Sequence, residues 1–310
     1  MYNFNHLYYF YITAKSGGVT AASRILKTSQ PSLSAQLKTL ELSIDRKLFF
    51  KSGRNIRLSE EGQKLFGYCR RMFEIAEDME SSLKSNSPEN LRIHLGVSDE
   101  IDRPFVVEVV SKLARMHSKV PPLVTMTSDA HQHLLARLKT NSLDAVITNQ
   151  PSSDDGMAPL SAIRMPVVLA FKKSGEFREI RKLKNWNALS TLVGLKANWV
   201  LPHPKMKLRS EIDAFMEKKK MGGRPVFESD VLASVVRAVT DGLGIGFLPL
   251  PYIMTEVAQG KLEVRAPKGG FWEHGVWLLS TRKHQDDVML QALKTSFERT
   301  ASGTGAARLK

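Results

Sequence analysis

The stretch Thr28–Glu41, TSQPSLSAQLKTLE, combines short hydroxyls, two amides and one lysine with a regular leucine spacing. At roughly 100° per residue, Leu33, Leu37 and Leu40 fall on one helical stripe. The opposite face carries Pro31, Ala35, Lys38 and Thr39, flanked by Ser32 and Ser34, with Gln30 at its start. A face this smooth fits a narrow groove, and its hydroxyl and amide groups can hydrogen-bond base edges or phosphate oxygens. Downstream, KLFFKSGRNIRLSEEG sets Lys51, Arg54 and Arg57 around a glycine turn between two short apolar runs. That pattern predicts a hairpin loaded with positive charge, suited to backbone or minor-groove contact.

A second group of polar residues follows strand-like runs. LRIHLGV leads into Ser98 and the acids Asp99, Glu100 and Asp102. PLVTMT leads into Ser128 and Asp129, which can cap a helix, and LDAVIT ends at Asn149. Strand ends followed by capped helices line one rim of a parallel sheet, where ligands of such folds bind. Three acids in four positions suit a hard cation with oxygen ligands. Helix N-termini in a basic protein suit a small carboxylate instead. The residues leave these two ligands open.

Other segments carry less chemistry. DGLGIGFLP runs into Pro249 and Pro251, so it lacks the helix a phosphate-cradling loop requires and reads as a turn into a buried strand. His131 and His133 stand two apart on a predicted helix and do not share a face. KKKMGG, Lys218–Gly223, is ordinary helix C-terminal chemistry. Cys69 is the one cysteine, which excludes an internal disulfide framework and a thiolate metal cluster, and it reads as packing. No Ser-His-acid spacing, metal cluster or dinucleotide loop marks an enzyme, so no catalytic or metal-binding residue is expected and no cofactor.

The elements that must position these residues fall into three regions of the 310-residue chain. VTAASRILKTS, with Thr20 as cap and Ala21, Ala22, Ile25 and Leu26 as apolar stripe, precedes the Ser29-capped helix. The pair reads as a helix-turn-helix whose second helix enters the major groove. Ser59 then caps a long helix bearing Leu65, Tyr68, Met72, Ile75 and Met79 at a/d spacing, a rod of about 40 Å that pairs with a second copy. From Leu91, strand-like runs alternate with amphipathic segments, an α/β pattern. The boundary is the polar SNSPEN, Ser85–Asn90, and ASGTGAARLK reads as a frayed tail. The formal charge of +14 points to an anionic partner, and residues 1–71 hold twelve Lys/Arg against four Asp/Glu. The first residues lack a basic segment followed by an apolar core, and no run has the length of a membrane span. The expected location is therefore cytoplasmic, without a membrane partner.

AASRILKTSQPSLSAQLKTLE…KLFFKSGRNIRLSEEG resembles the winged helix-turn-helix of the LysR-type transcriptional regulators. YNFNHLYYFY and HLLARLKTNSLDAVITNQP look most like the subgroup that activates sodium/proton antiporter genes. The resemblance implies an α/β protein with an N-terminal winged helix-turn-helix over residues 1–58 and a dimerising linker helix and hinge over 59–90. A two-lobed periplasmic-binding-protein-like effector domain over 91–300 would follow, with lobe I at 91–162 and 266–300, lobe II at 163–265, and a tail at 301–310. By position the family's groove-facing residues fall on Gln30, Pro31, Ser34 and Ala35, with Arg54 on the wing, and the residue pattern adds Ser32, Lys38, Lys51 and Arg57 as expected DNA contacts. Ala35 departs from the family's common arginine, which removes a bidentate guanine contact. The resemblance also implies an effector cleft lined by Ser98, Asp99, Ser128, Asn149, Pro202 and Phe227, taking an organic anion or a cation such as sodium. The partners implied are double-stranded DNA, a second copy in a dimer that pairs into a tetramer, and RNA polymerase. An α/β enzyme with a helical accessory domain and a solute-binding module without DNA function are the competing readings.

Overall fold

The structure is a computed structural model and describes residues 2–52, 55–85, 92–117, 120–173 and 198–302. Three helices open the chain: α1 (Phe4–Lys15), α2 (Val19–Ile25) and α3 (Gln30–Ile44). Ser29 caps α3, its hydroxyl accepting from the Ser32 amide at 3.3 Å, and Pro31 occupies the first turn, where no donor is needed. Asp45 ends the helix in the left-handed conformation. The α2 cap differs from the expectation. Gly18 precedes the helix, and Thr20 lies within its first turn with its hydroxyl turned to Gln30 Oε1 at 3.2 Å. Ile25, expected in the apolar stripe, is exposed because α2 is short and only Ala22 and Ser23 are buried. Leu33, Leu37 and Leu40 join Leu7, Phe10, Tyr11 and Leu48 in the N-terminal core.

The strands β1 (Phe49–Ser52) and β2 (Asn55–Leu58) pair antiparallel from Phe49↔Leu58 to Ser52↔Asn55. The turn residues Gly53 and Arg54 lie outside the described residues. The long helix α4 (Glu60–Ser85) starts at Ser59, whose hydroxyl accepts from the Gly62 amide at 2.9 Å. Its apolar residues divide between two faces. Phe66 and Phe73 stack on Tyr11 at 5.7 and 5.3 Å, and Cys69 is buried with them. Tyr68, Ile75 and Met79 point away and are 59, 69 and 60% exposed. The a/d series therefore does not form one seam, because Leu65 and Met72 belong to the face packed on the chain's own core.

The remaining residues build two lobes around a shared strand. In lobe I the order is β3 (Arg92–Ser98), α5 (Arg103–Met116), β4 (Leu123–Asp129), α6 (His131–Lys139), β5 (Ala145–Thr148) and β6 (Met157–Lys172). In lobe II it is β7 (Asn198–Pro202), α7 (Lys207–Lys218), β8 (Arg224–Ser229), α8 (Leu232–Asp241), β9 (Gly246–Pro249), α9 (Met254–Ala258) and β10 (Leu262–Arg265). The chain then returns through β11 (Glu273–Thr281) and α10 (Val288–Ser302). β3 pairs parallel with β4 and β5, and β11 pairs antiparallel with β5 and with the first part of β6. The rest of β6 pairs with β9 and β10. Its partner changes between Pro166 and Val167, four residues beyond the expected division at 162/163, so one continuous strand spans both lobes.

Burial on both faces of lobe I follows from the two-residue period of β5. Ala145 and Ile147 meet Val109, Leu113 and Phe297 beneath α5 and α10, while Val146 meets Leu134 and Leu138 of α6. In lobe II, Trp199 stacks on Phe247 at 5.5 Å, and Gly242 ends α8 at φ 89°, where a glycine is favoured. DGLGIGFLP is thus a helix stop and the buried strand β9. No helix is long and apolar enough to cross a membrane, among the described residues.

Candidate nucleic-acid interface and ligand cleft

Along α3, burial of Leu33, Leu37 and Leu40 fixes the helix rotation and turns the polar face outward. Gln30, Pro31, Ser32, Ser34, Ala35, Lys38 and Thr39 are all exposed. The Thr39 hydroxyl is taken up by the Ala35 carbonyl at 3.0 Å, whereas Ser32 and Ser34 are open to a partner. Beside this face Arg57 is exposed on β2, and the backbone of Lys51 pairs with Ile56 on the same hairpin. Arg54 belongs to the turn outside the described residues.

Helix and hairpin are tied together by a residue that the spacing did not single out. Glu41 Oε1 accepts from the amides of Leu48 and Phe49 at 2.8 and 3.3 Å, and its Oε2 meets Lys47 Nζ at 2.8 Å. Burial pushes its carboxyl up, but the lysine and the two amides outweigh that and hold it below the ordinary value. A glutamate on the flank of an amphipathic helix reads as solvated until the hairpin folds back on it.

Between the lobes lies a cleft of about 680 Å³ lined on one side by Ser98, Asp99, Glu100, Arg103 and the start of α6, and on the other by Lys205, Met206, Asp230 and the start of α8. Ser98 and Asp99 therefore reach the cleft as expected positions. Ser128, Asn149, Pro202 and Phe227 do not line it. Ser128 is on the edge strand β4, Pro202 is buried at the end of β7, and Phe227 packs against the lobe II core. Asn149 is fully buried behind Glu100, donating Nδ2 to Glu100 Oε2 at 2.8 Å.

The three neighbouring acids have separate tasks. Asp102 caps α5, accepting from the Phe105 amide at 3.1 Å, and burial pushes its carboxyl up to about 7. Glu100 Oε2 accepts from the Lys207 amide at 2.6 Å, so a lobe I carboxylate caps the lobe II helix α7. Lys207 Nζ returns to the Asn149 carbonyl at 3.0 Å. Asp99 alone stays exposed, with Arg103 Nη2 at 3.8 Å. The oxygens thus diverge, and no group of three His, Cys, Asp or Glu fit to hold a metal occurs among the described residues. By contrast, α6 and α8 both open on the cleft without a side-chain cap and without an acid in the first turn. His131 faces Thr148 Oγ1 at 2.9 Å, and burial, opposed by Glu100 and aided by Lys207, holds its pKa below the ordinary value. Arg103, His131, Lys205 and Asp230 are cleft residues without a sequence signal of their own.

The profile described as "Bacterial regulatory helix-turn-helix protein, lysR family" matches residues 4–63, and that of the LysR substrate binding domain matches residues 86–301. The chain is 28% identical over 163 residues to the transcriptional activator protein NhaR of Escherichia coli, covering 53% of this chain and 54% of NhaR, so the match spans about half that relative's length. A full-length OxyR from Pseudomonas aeruginosa, carrying one cysteine-to-aspartate substitution, shares the fold at a TM-score of 0.65 and 17% identity, covering 99% of both chains. So does full-length LysG from Corynebacterium glutamicum with bound effector arginine, at 0.61 and 16% identity, covering 97% of this chain and 99% of that one. With its helix-turn-helix and its two-lobed α/β domain both matched, the chain belongs to the LysR family of bacterial transcriptional regulators.

Proposed function

We propose that this protein is a cytoplasmic, sequence-specific DNA-binding regulator switched by a small organic ligand. The observation that carries the DNA half is the bare outer face of α3. Gln30, Pro31, Ser32, Ser34, Ala35 and Lys38 are exposed in a helix whose Leu33, Leu37 and Leu40 are buried, beside the basic hairpin. Hydroxyls and the Gln30 amide read base edges, while Lys38, Lys51, Arg54 and Arg57 neutralise phosphates. Two copies joined through Tyr68, Ile75 and Met79 of α4 present two such helices to two half-sites. A tetramer and contact with RNA polymerase extend this reading by family analogy.

The ligand sits in the interlobe cleft and carries a carboxylate, which the uncapped starts of α6 and α8 and the Lys205 ammonium receive. Arginine, the effector bound in LysG, has such a group. Ligand that binds one placement of the lobes better than another shifts the assembly and the DNA path. The test is binding of full-length protein to duplexes selected from a random pool, measured across salt. A linear log–log loss of affinity with salt supports the reading, and binding indifferent to salt and sequence overturns it. For the cleft, thermal unfolding with amino and keto acids is compared with sodium and potassium chloride at equal ionic strength. Stabilisation by an acid supports the carboxylate, and stabilisation by sodium alone overturns it.

A further inference from the structure

The linker helix is bound to lobe I of its own chain by a buried ionic cluster that neither DNA contact nor the ligand cleft accounts for. Arg70 is 6% exposed. Its Nη1 donates to Glu74 Oε2 at 3.0 Å, and its Nη2 donates to the Asn141 carbonyl at 2.8 Å and to Asp144 Oδ1 at 3.0 Å. Arg71 Nη2 reaches the same Asp144 oxygen at 3.1 Å, and its Nη1 meets His284 Nε2. The second Asp144 oxygen accepts from the His94 amide at 2.7 Å, and His94 Nε2 faces Glu74 Oε1 at 3.0 Å. Burial pushes the Asp144 carboxyl up, but Arg70, the His94 amide and Arg71 together hold it below its ordinary value. Backbone contact adds to this charge pairing. At Gly67 the helix touches lobe I so closely that an added Cβ would lie 1.7 Å from the Thr140 carbonyl oxygen.

The place of the cluster in lobe I gives it a function. Asp144 directly precedes β5, and His94 lies near the start of β3. The two strands run parallel, with Leu95 opposite Ala145 and Val97 opposite Ile147. At their far ends stand the cleft groups. Ser98 lines the cleft, Thr148 Oγ1 faces His131 at 2.9 Å, and Asn149 holds Glu100. β5 is only four residues, all buried, a span of about 13 Å. Short, close-packed strands shift as units instead of bending, so a displacement at one end appears at the other.

We propose that Arg70 and Asp144 are positioning residues that fix the winged helix-turn-helix to lobe I, and that β3 and β5 carry movement at the cleft to α4. The joint that sets DNA-reading geometry is this docked face. The biological meaning rests on the regulator reading, whereas the geometry can be measured without DNA.

The experiment uses the full chain with spin labels at Leu42→Cys on α3 and Arg115→Cys on α5, both exposed positions. Excess unlabelled chain keeps the measured distance within one copy. Cys69 stays unlabelled, since burial pushes its thiol up to about 12. The expected wild-type result is one narrow distance distribution. Asp144→Asn and Arg70→Met should each broaden it, while Arg70→Lys, which keeps the charge, recovers part of the narrowing. Gly67→Ala is the variant that separates docking from folding. Alanine favours the helix, yet its methyl drives α4 off Thr140, so helicity by circular dichroism holds or rises while the distribution broadens. Asn149→Ala at the cleft end should speed amide exchange in residues 66–74 of α4 severalfold. Folded Asp144→Asn and Gly67→Ala chains with the narrow wild-type distribution would overturn the docking. Unchanged exchange in Asn149→Ala would overturn the coupling through the strands. A wild-type chain that binds no duplex but responds as described would overturn the regulator reading and leave the docking in place.

Discussion

Replacing Glu41 by alanine tests whether the recognition helix and the hairpin act as one unit. The substitution removes the only described acceptor of the Leu48 and Phe49 amides, and Leu48 is 1% exposed, so water cannot readily replace it. A hydrogen bond to a charged acceptor contributes about 1.5–3 kcal/mol, but these two share one oxygen and the second is long, so their joint contribution is about 2–3 kcal/mol. The Lys47 pair adds little, because that ammonium is 78% exposed. Amide exchange at Leu48 and Phe49 should therefore speed by roughly 30- to 150-fold at pH 7, with one tenfold step for each 1.36 kcal/mol. Glu41→Gln keeps a neutral acceptor and should lose about 1 kcal/mol. The folded pKa of Glu41 is depressed, so its stabilisation is complete above the unfolded value and is lost as pH falls through the folded one. The gap between wild type and Glu41→Ala in thermal unfolding should narrow below about pH 4. Exchange of these amides within twofold of wild type in a folded Glu41→Ala chain would refute the reasoning.

Four further variants test other parts of the molecule. Arg57→Ala should lower the slope of log affinity against log salt by about 1, as loss of one phosphate contact requires, whereas Ser34→Ala should reorder preferred duplexes with little change in slope; fluorescence anisotropy measures both. Ile75→Glu should raise the dimer dissociation constant by about 10–100-fold in sedimentation, since burying such a side chain contributes about 1.5–3 kcal/mol and a carboxylate opposes it. Asp102→Asn keeps the α5 cap but removes a carboxylate whose pKa burial raises from 3.8 to about 7. An acid raised on folding destabilises increasingly as pH climbs from its unfolded to its folded value. The variant should thus gain up to about 4 kcal/mol above pH 7 and nothing near pH 4, as thermal unfolding across pH reports.

What the sequence made legible was set by local period and local caps. Ser29, Pro31 and the three leucines specify α3 with its exposed face, and the run from Leu48 to Leu58 specifies the hairpin. Ser98 and Asp99 follow a strand end and reach the cleft for that reason. Where a position depends on closure of the chain, spacing is silent. Glu100 meets Lys207, Arg70 meets Asp144, and Glu211 accepts from Trp272 Nε1 at 3.1 Å, each pair distant in the chain. The α4 heptad misled for a related reason. One helix serves two partners, its own N-terminal core and the outside, and a single a/d template merges the two stripes.

The cleft shows the same limit in chemical form. Counted along the chain, Asp99, Glu100 and Asp102 look like a cation cage, and a hard cation does require several oxygens converging on one point. The β3–α5 turn sends them apart. Asp102 is spent on the Phe105 amide of α5, Glu100 is drawn across the cleft to α7, and Asp99 faces solvent beside Arg103. Because Glu100 already takes the first amide of α7, the helix starts that meet no carboxylate across the cleft are those of α6 and α8. These two lie on opposite lobes, so an anionic group seated between them pulls the lobes together, whereas a cation there is opposed by both helix ends. The acids thus shape the cleft, and the uncapped starts of α6 and α8 are what the proposed carboxylate rests on.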